Sequence, residues 1–138
     1  MKIFFKFILV LVGVIVLYAG VMAAASEWGG EVALLVRPEP SGASKEIRVW
    51  IVDQGGYSWI EHGDGESFWV KQLTNQPEIS VIRAGEEKKY TAISDANSHD
   101  LYHQLRRERY GVADQIVEIG SFGLADKETC TGVPVRLE

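Results

Sequence analysis

The chain has 138 residues, with 14 Lys+Arg against 19 Asp+Glu and a formal charge of −5, which suits one compact domain rather than two. From Ser26 onward 12 basic side chains meet 19 acidic ones, a net of −7, and so negative a surface excludes broad binding to a nucleic-acid backbone. One cysteine, Cys130, excludes an internal disulfide framework and a cysteine-rich metal site.

Phe7–Ala25 is a run of 19 residues without a charge. As a helix it would be roughly 28 Å long, close to the hydrocarbon thickness of a bilayer. Two readings fit: an N-terminal anchor, or a signal peptide cleaved after the small residues Ala23–Ala25, before Ser26. The run exceeds the roughly 7–15 residues of a signal core, which favours the anchor. Lys2 and Lys6 would then stay cytoplasmic and place residues 26–138 outside, in the periplasm of a Gram-negative cell. Trp28, just past the run, reads as an interface anchor.

Beyond it, Glu31–Arg37 is a short apolar run ended by Pro38 and predicts a strand. Pro38–Ser44 is a loop, and Glu46–Asp53, rich in β-branched and aromatic residues, predicts the next strand. Gln54-Gly55-Gly56 turns the chain into Tyr57–Glu61, the second arm of a hairpin. Phe68, Trp69 and Leu73 fall at helical spacing, so Ser67–Thr74 predicts a short helix stopped at Pro77. Glu78–Arg83 and Lys88–Ser94 predict two strands around Ala84-Gly85-Glu86. Ser94 or Asp95 can cap a helix that runs to about Arg109 and stops at Tyr110-Gly111, and Val133–Leu137 predicts a last strand. About six strands with little between them predict a small antiparallel barrel, a mainly β (α+β) chain with one or two short helices.

Few residues suggest chemistry directly. His99 and His103 are four apart and share a helix face, as metal ligands would, but no motif supplies a third ligand. Leu101 and Leu105 predict that the two histidines face solvent, so no metal is assigned. His62 could act as a proton donor from its loop, or simply be exposed. The basic cluster Arg106-Arg107-Glu108-Arg109 suits a helix C-terminus. Cys130 has no activating base nearby in sequence. Neither a Ser/His/Asp order nor a Gly-rich phosphate fingerprint nor His-Glu-x-x-His is present, so hydrolase and nucleoside-triphosphatase chemistry lack support.

The order of elements carries a resemblance. It rests on Glu31–Val36, Arg48–Asp53, Trp69 with Leu73–Pro77, Glu78–Arg83, Arg109-Tyr110-Gly111 with Ala113-Asp114, and Val133–Leu137. On these stretches the chain resembles the split β-barrel family of pyridoxamine 5′-phosphate oxidase-like flavin proteins, nearest its deazaflavin-dependent nitroreductase branch. The resemblance implies a split β-barrel over residues 31–138, preceded here by the apolar run read above as a transmembrane helix, and usually a homodimer with FMN or a deazaflavin at the subunit interface. It implies an oxidoreductase that passes a hydride to a small-molecule acceptor, and Ser44, Lys45, Arg48, Ser67, Trp69 and Lys71 as cofactor-binding positions. The residues themselves leave alternatives open. Lys45 and Arg48 also suit a solvated edge strand, Ser67 an N-cap, and Trp50, Trp59 and Trp69 a core. A non-catalytic ligand-binding or interaction module on the same barrel is the rival reading.

Overall fold

The structure, a computed structural model, describes residues 2–138; the side chains of Lys2, Ile3 and His62, and with them the loop reading of His62, lie outside the described residues. Helix α1 (Lys2–Trp28) carries the apolar run, and its side chains from Phe4 to Leu17 are exposed. Only its last turns enter the domain. Ala25 is buried in a core, the Ser26 carbonyl accepts the Trp50 Nε1–H at 3.0 Å, and Glu27 pairs with Arg48. The helix thus continues through the candidate cleavage point into packed structure, and Trp28 is 86% exposed at its end.

Seven strands follow: β1 (Val32–Pro38), β2 (Ser44–Trp50), β3 (Val52–Gln54), β4 (Tyr57–His62), β5 (Glu78–Arg83), β6 (Glu86–Ser94) and β7 (Val133–Leu137). They form one antiparallel sheet in the order β2-β1-β5-β6-β7-β4-β3. The two ends of that order, β2 and β3, are consecutive in the chain, so the sheet curls until its edges meet at Ile51. The segment Glu46–Asp53, expected as one strand, is therefore two. Its first part pairs with β1 and its second with β4. β6 makes the other crossing, pairing with β5 over Glu86–Thr91 and with β7 over Ala92–Ser94.

Period-two alternation fills the barrel: Ala33 and Leu35 of β1 and Ile79 and Val81 of β5 point inward. Helix α2 (Phe68–Gln72), shorter than the expected 67–74, closes the barrel with Trp69 and Val70, followed by Leu73. Helix α3 (His99–Tyr110) follows a 3-10 turn and ends at Gly111, whose φ of 50° breaks it. The chain then re-enters helix as α4 (Val112–Gly120), which the sequence reading left unassigned. Tyr102, Leu105, Tyr110 and Ala113 of these helices meet Val52 and Trp59 on the outside of the barrel, together with Ala25.

The junction at Ile51 has a dedicated partner. Tyr110 Oη accepts the Ile51 N–H at 2.9 Å, and lies 2.5 Å from the Glu31 carbonyl oxygen and 3.0 Å from that of Ile51. Its ring stacks on Trp50, centroids 4.3 Å apart. A Cβ on Gly30 would sit 2.5 Å from that ring, so the approach requires glycine there. Burial pushes the Tyr110 phenol pKa up, which keeps its proton in place for donation. Beside it, Arg83 donates to Glu31 at 2.7 and 2.8 Å and to Asp53 at 2.9 Å, tying the start of β1 to β3 through the end of β5. The hydrogen bonds from Arg83 hold both carboxyls below the ordinary carboxylate range.

Two outcomes are expected. Tyr110→Phe keeps the ring stack but leaves the Ile51 N–H unpaired, so urea denaturation will show a loss of about 1–3 kcal/mol. Arg83→Met will lower stability at neutral pH by about 1–2 kcal/mol, the partial exposure of the network limiting the effect. Because Glu31 and Asp53 are depressed in the folded state, their contribution is complete above the ordinary carboxylate range and lost as pH falls below about 4. Denaturation midpoints measured against pH will therefore drop on the acid side in the wild type and less steeply in Arg83→Met.

Candidate functional site

The β1–β2 hairpin and the start of α2 form one mouth of the barrel. Strand alternation splits the three candidates on β2: Ser44 and Arg48 point to one face and Lys45 to the other. Lys45 sits directly across from Arg37, on the face that carries Leu35 and Ala33 into the barrel. It is exposed and makes no ion pair among the described residues. Arg48 turns outward, and its Nε donates to Glu27 of α1 at 2.8 Å. Ser67 occupies the N-cap position of α2 without a side-chain capping bond. A cavity of about 210 Å³ lies between Arg37–Pro40 and Ser67–Trp69. Trp69 reaches that cavity but is 2% exposed and belongs to the barrel core. Lys71 is exposed and pairs with Glu66 at 2.6 Å, whose hydrogen bond raises its pKa.

Of the candidates, Ser67 and Trp69 line that cavity; Lys45 and Ser44 lie outside its lining, across from its residues Arg37 and Pro38, while Arg48 and Lys71 are committed to carboxylates. Arg37, which sequence reasoning passed over, stands at the same opening with Glu39 3.1 Å from its Nε. A strand that ends in Arg-Pro gave no hint of it, since only the register with β2 brings Arg37 and Lys45 side by side.

A second group of polar side chains lies across the molecule, under α3. Asp114 of α4 is 1% exposed and receives Arg106 Nε and Arg107 Nε, each at 2.6 Å. Arg106 also reaches Glu61 Oε2 at 3.3 Å and the Ala125 carbonyl at 2.7 Å. Burial alone would depress the Arg106 pKa, but its charged neighbours carry it upward. The basic cluster therefore fastens α3 to α4 and β4 rather than simply facing the helix dipole.

The histidines differ from expectation. His103 is 6% exposed and His99 half-buried, because α3 is covered on two sides, by the core of Tyr102 and Leu105 and by β4 with the loop after α4. Glu61, His99, His103 and Cys130 converge there, with one ligand atom from each within 4.8 Å of all the others. Burial pushes the Cys130 thiol pKa up. No spacing rule could have found this set, since Glu61 and Cys130 come from β4 and the distant loop. A cavity of about 670 Å³ between α3, α4 and that loop opens beside His103.

By sequence, no protein-family model matches the chain, and no curated protein does. Its fold does have solved counterparts. An F420-H2-dependent reductase (FDR-A) superposes with a TM-score of 0.53 at 15% identity, covering 78% of this chain and 93% of that one. A structure described as a domain-swapped dimer gives a TM-score of 0.51 at 15% identity, covering 78% of this chain and 79% of the other. The seven-stranded curled sheet, its crossings at β2–β3 and β6, and these superpositions agree with the fold that the sequence resemblance implies: the chain shares the split β-barrel fold of these structures.

Proposed function

We propose that the chain is a membrane-tethered oxidoreductase that binds a deazaflavin, or alternatively FMN, and serves a small-molecule acceptor. The observation that carries this reading is the cationic mouth of the barrel, where the exposed Lys45 stands beside Arg37 above a cavity edged by Ser67. That donor set suits a phosphate if Glu39, which lines the cavity and pairs with Arg37, gives way: the Arg37 guanidinium and the Ser67 hydroxyl line the opening and the Lys45 ammonium stands across the strand pair from Arg37. Lys71 is a further cation, since an exposed ion pair such as that with Glu66 is weak and can exchange. Ser44, across from Pro38 on the other face of β2, is a further hydroxyl nearby, and Trp69 gives a rigid apolar wall. Arg48 is better suited to fastening α1, through Glu27, than to the phosphate itself.

The cavity of about 210 Å³ is smaller than the roughly 300 Å³ at which pockets for whole ligands begin. The rest of a cofactor would lie outside it, which is the reason to propose a homodimer whose second copy completes the groove. When bound, the cofactor would supply hydride transfer. The protein would contribute the phosphate contacts, the orientation of the ring and the exclusion of water. No nucleic-acid partner is proposed, in keeping with the acidic surface.

The tether reading is supported by α1 itself. Phe4–Trp28 is long and apolar enough to span a bilayer, and its final turns pack into the domain at Ala25 and Ser26. With Lys2 and Lys6 retained in the cytoplasm, residues 26–138 would be extracytoplasmic, periplasmic in a Gram-negative cell. If the segment is an anchor, native protein will stay with the membrane after an alkaline carbonate wash and keep its first residues on N-terminal sequencing; a mature start at Ser26 would mean secretion instead.

A non-catalytic ligand-binding or interaction module is favoured by one specific feature, the use of Arg48 and Lys71 in pairs with carboxylates. Absorbance and fluorescence titration of the detergent-solubilised chain with F420 and with FMN separates the two. The reductase reading expects saturable binding of one of them, weakened about tenfold by Lys45→Ala through loss of one phosphate contact of about 1.5 kcal/mol. A folded chain that binds neither would leave only the module.

A further inference from the structure

We propose that Glu61, His99, His103 and Cys130 form a four-ligand site for a divalent transition-metal ion, zinc by its chemistry, that fastens the loop between α4 and β7 to the barrel. The ligand set is two imidazoles, a thiolate and a carboxylate, the donors that a borderline-soft, tetrahedral ion takes. Bonds of about 2.0–2.3 Å around a tetrahedral ion put ligand atoms roughly 3.3–3.8 Å apart. The four atoms here lie within 4.8 Å of one another, so closing on an ion needs shifts of about 1 Å or less.

The second observation is what the cluster lacks. The Nε2 atoms of His99 and His103 are both buried and have no hydrogen-bond partner among the described residues. His103 Nε2 lies 3.3 Å from Glu61 Oε1, yet makes no hydrogen bond with it. Buried polar nitrogens are nearly always paired, and two orphans aimed at a carboxylate and a thiol are costly unless a cation sits among them.

The surroundings are built for that ion. Arg106 holds Glu61 Oε2 at 3.3 Å, so Oε1 is left for the site. The Gly132 N–H donates to Cys130 Sγ at 3.2 Å, a bond that favours thiolate. A Cβ on Gly132 would fall 2.8 Å from the Glu61 carboxyl carbon, so glycine at this position is what admits the carboxylate. His99 and His103 lie one turn apart on α3, while Glu61 comes from the end of β4. The cavity beside His103 gives an ion a route in from solvent. Four protein ligands fill a tetrahedral shell, the pattern of a structural rather than a catalytic metal. The loop it holds consists of turns between Ser121 and Gly132, closed mainly by short-range hydrogen bonds and joined to α3 by Arg106 at the Ala125 carbonyl and by the Lys127–Asp100 pair.

The test uses the full-length chain in detergent, stripped with a chelator and titrated with Co²⁺. One equivalent is expected to give the visible bands of a tetrahedral ion and a near-ultraviolet thiolate-to-cobalt band, both bleached by Zn²⁺. Cys130→Ser is expected to remove the near-ultraviolet band and weaken binding by at least about 100-fold, more than the loss of an outer partner would. His103→Gln should weaken it similarly. One equivalent of Zn²⁺ should raise the Tm of the wild type by about 5 °C and leave that of Cys130→Ser unmoved. A folded wild type with no cobalt spectrum overturns the proposal, and so does binding that Cys130→Ser and His103→Gln both leave intact. No flavin enters the assay, so its outcome is independent of the reductase reading.

Discussion

Everything in this molecule depends on how a curled sheet is closed. A barrel made from one continuous sheet must bring its first and last strands together, and here those strands are neighbours in the chain, separated only by Ile51. A residue at such a corner leaves the ladder on one side before it joins it on the other, so its backbone groups need a partner from elsewhere. The Tyr110 hydroxyl is that partner. It ends α3, stacks on Trp50 and reaches the Glu31 carbonyl, so one phenol joins the corner of the barrel, the start of β1 and the helical layer. The end of α1 is built onto the same place, through the Trp50 contact to Ser26 and the burial of Ala25.

Charge is distributed by the same logic. A domain with a net of −7 has few cations to spare, and most of them are used in holding elements together. Arg83 joins β1, β3 and β5 through Glu31 and Asp53, while Arg106 and Arg107 surround the buried Asp114. A buried carboxylate of this kind is tolerated because two guanidiniums and their hydrogen bonds replace its water. Two features among the described residues then stand out: Lys45, which makes no ion pair and lies across from Arg37, and two imidazole nitrogens under α3 without a hydrogen-bond partner. The first suits an anion from outside, the second a cation.

Much of the architecture was legible because it rests on short-range signals. The strands at 32–38, 57–62, 78–83 and 133–137 follow from β-branched runs bounded by Gly, Pro or polar turns. The apolar N-terminal run announces its helix by length alone. Helix α4 was missed because a glycine at the end of a helix normally means a loop, whereas Gly111 here serves as a corner between two helices. The division at Ile51 was missed because every residue from Glu46 to Asp53 has the chemistry of a strand, and only closure of the sheet requires a break.

The candidate sites divide along the same line. Sequence could name Lys45, Arg48, Ser67 and the two histidines as polar residues in suitable local settings, since charge, capping tendency and helical spacing are properties of neighbours in the chain. It could not say that alternation would send Lys45 and Arg48 to opposite faces of β2 once the register with β1 was set, or that Arg37 would arrive beside Lys45. Nor could it bring Glu61 and Cys130 to His103, because those contacts join residues dozens of positions apart and exist only after the barrel has closed and α3 has packed against it. The chain by itself determined a membrane-length helix and a set of strands, through local hydrophobic pattern. Which polar groups share a site was decided by tertiary structure, since only folding sets the distances between remote side chains.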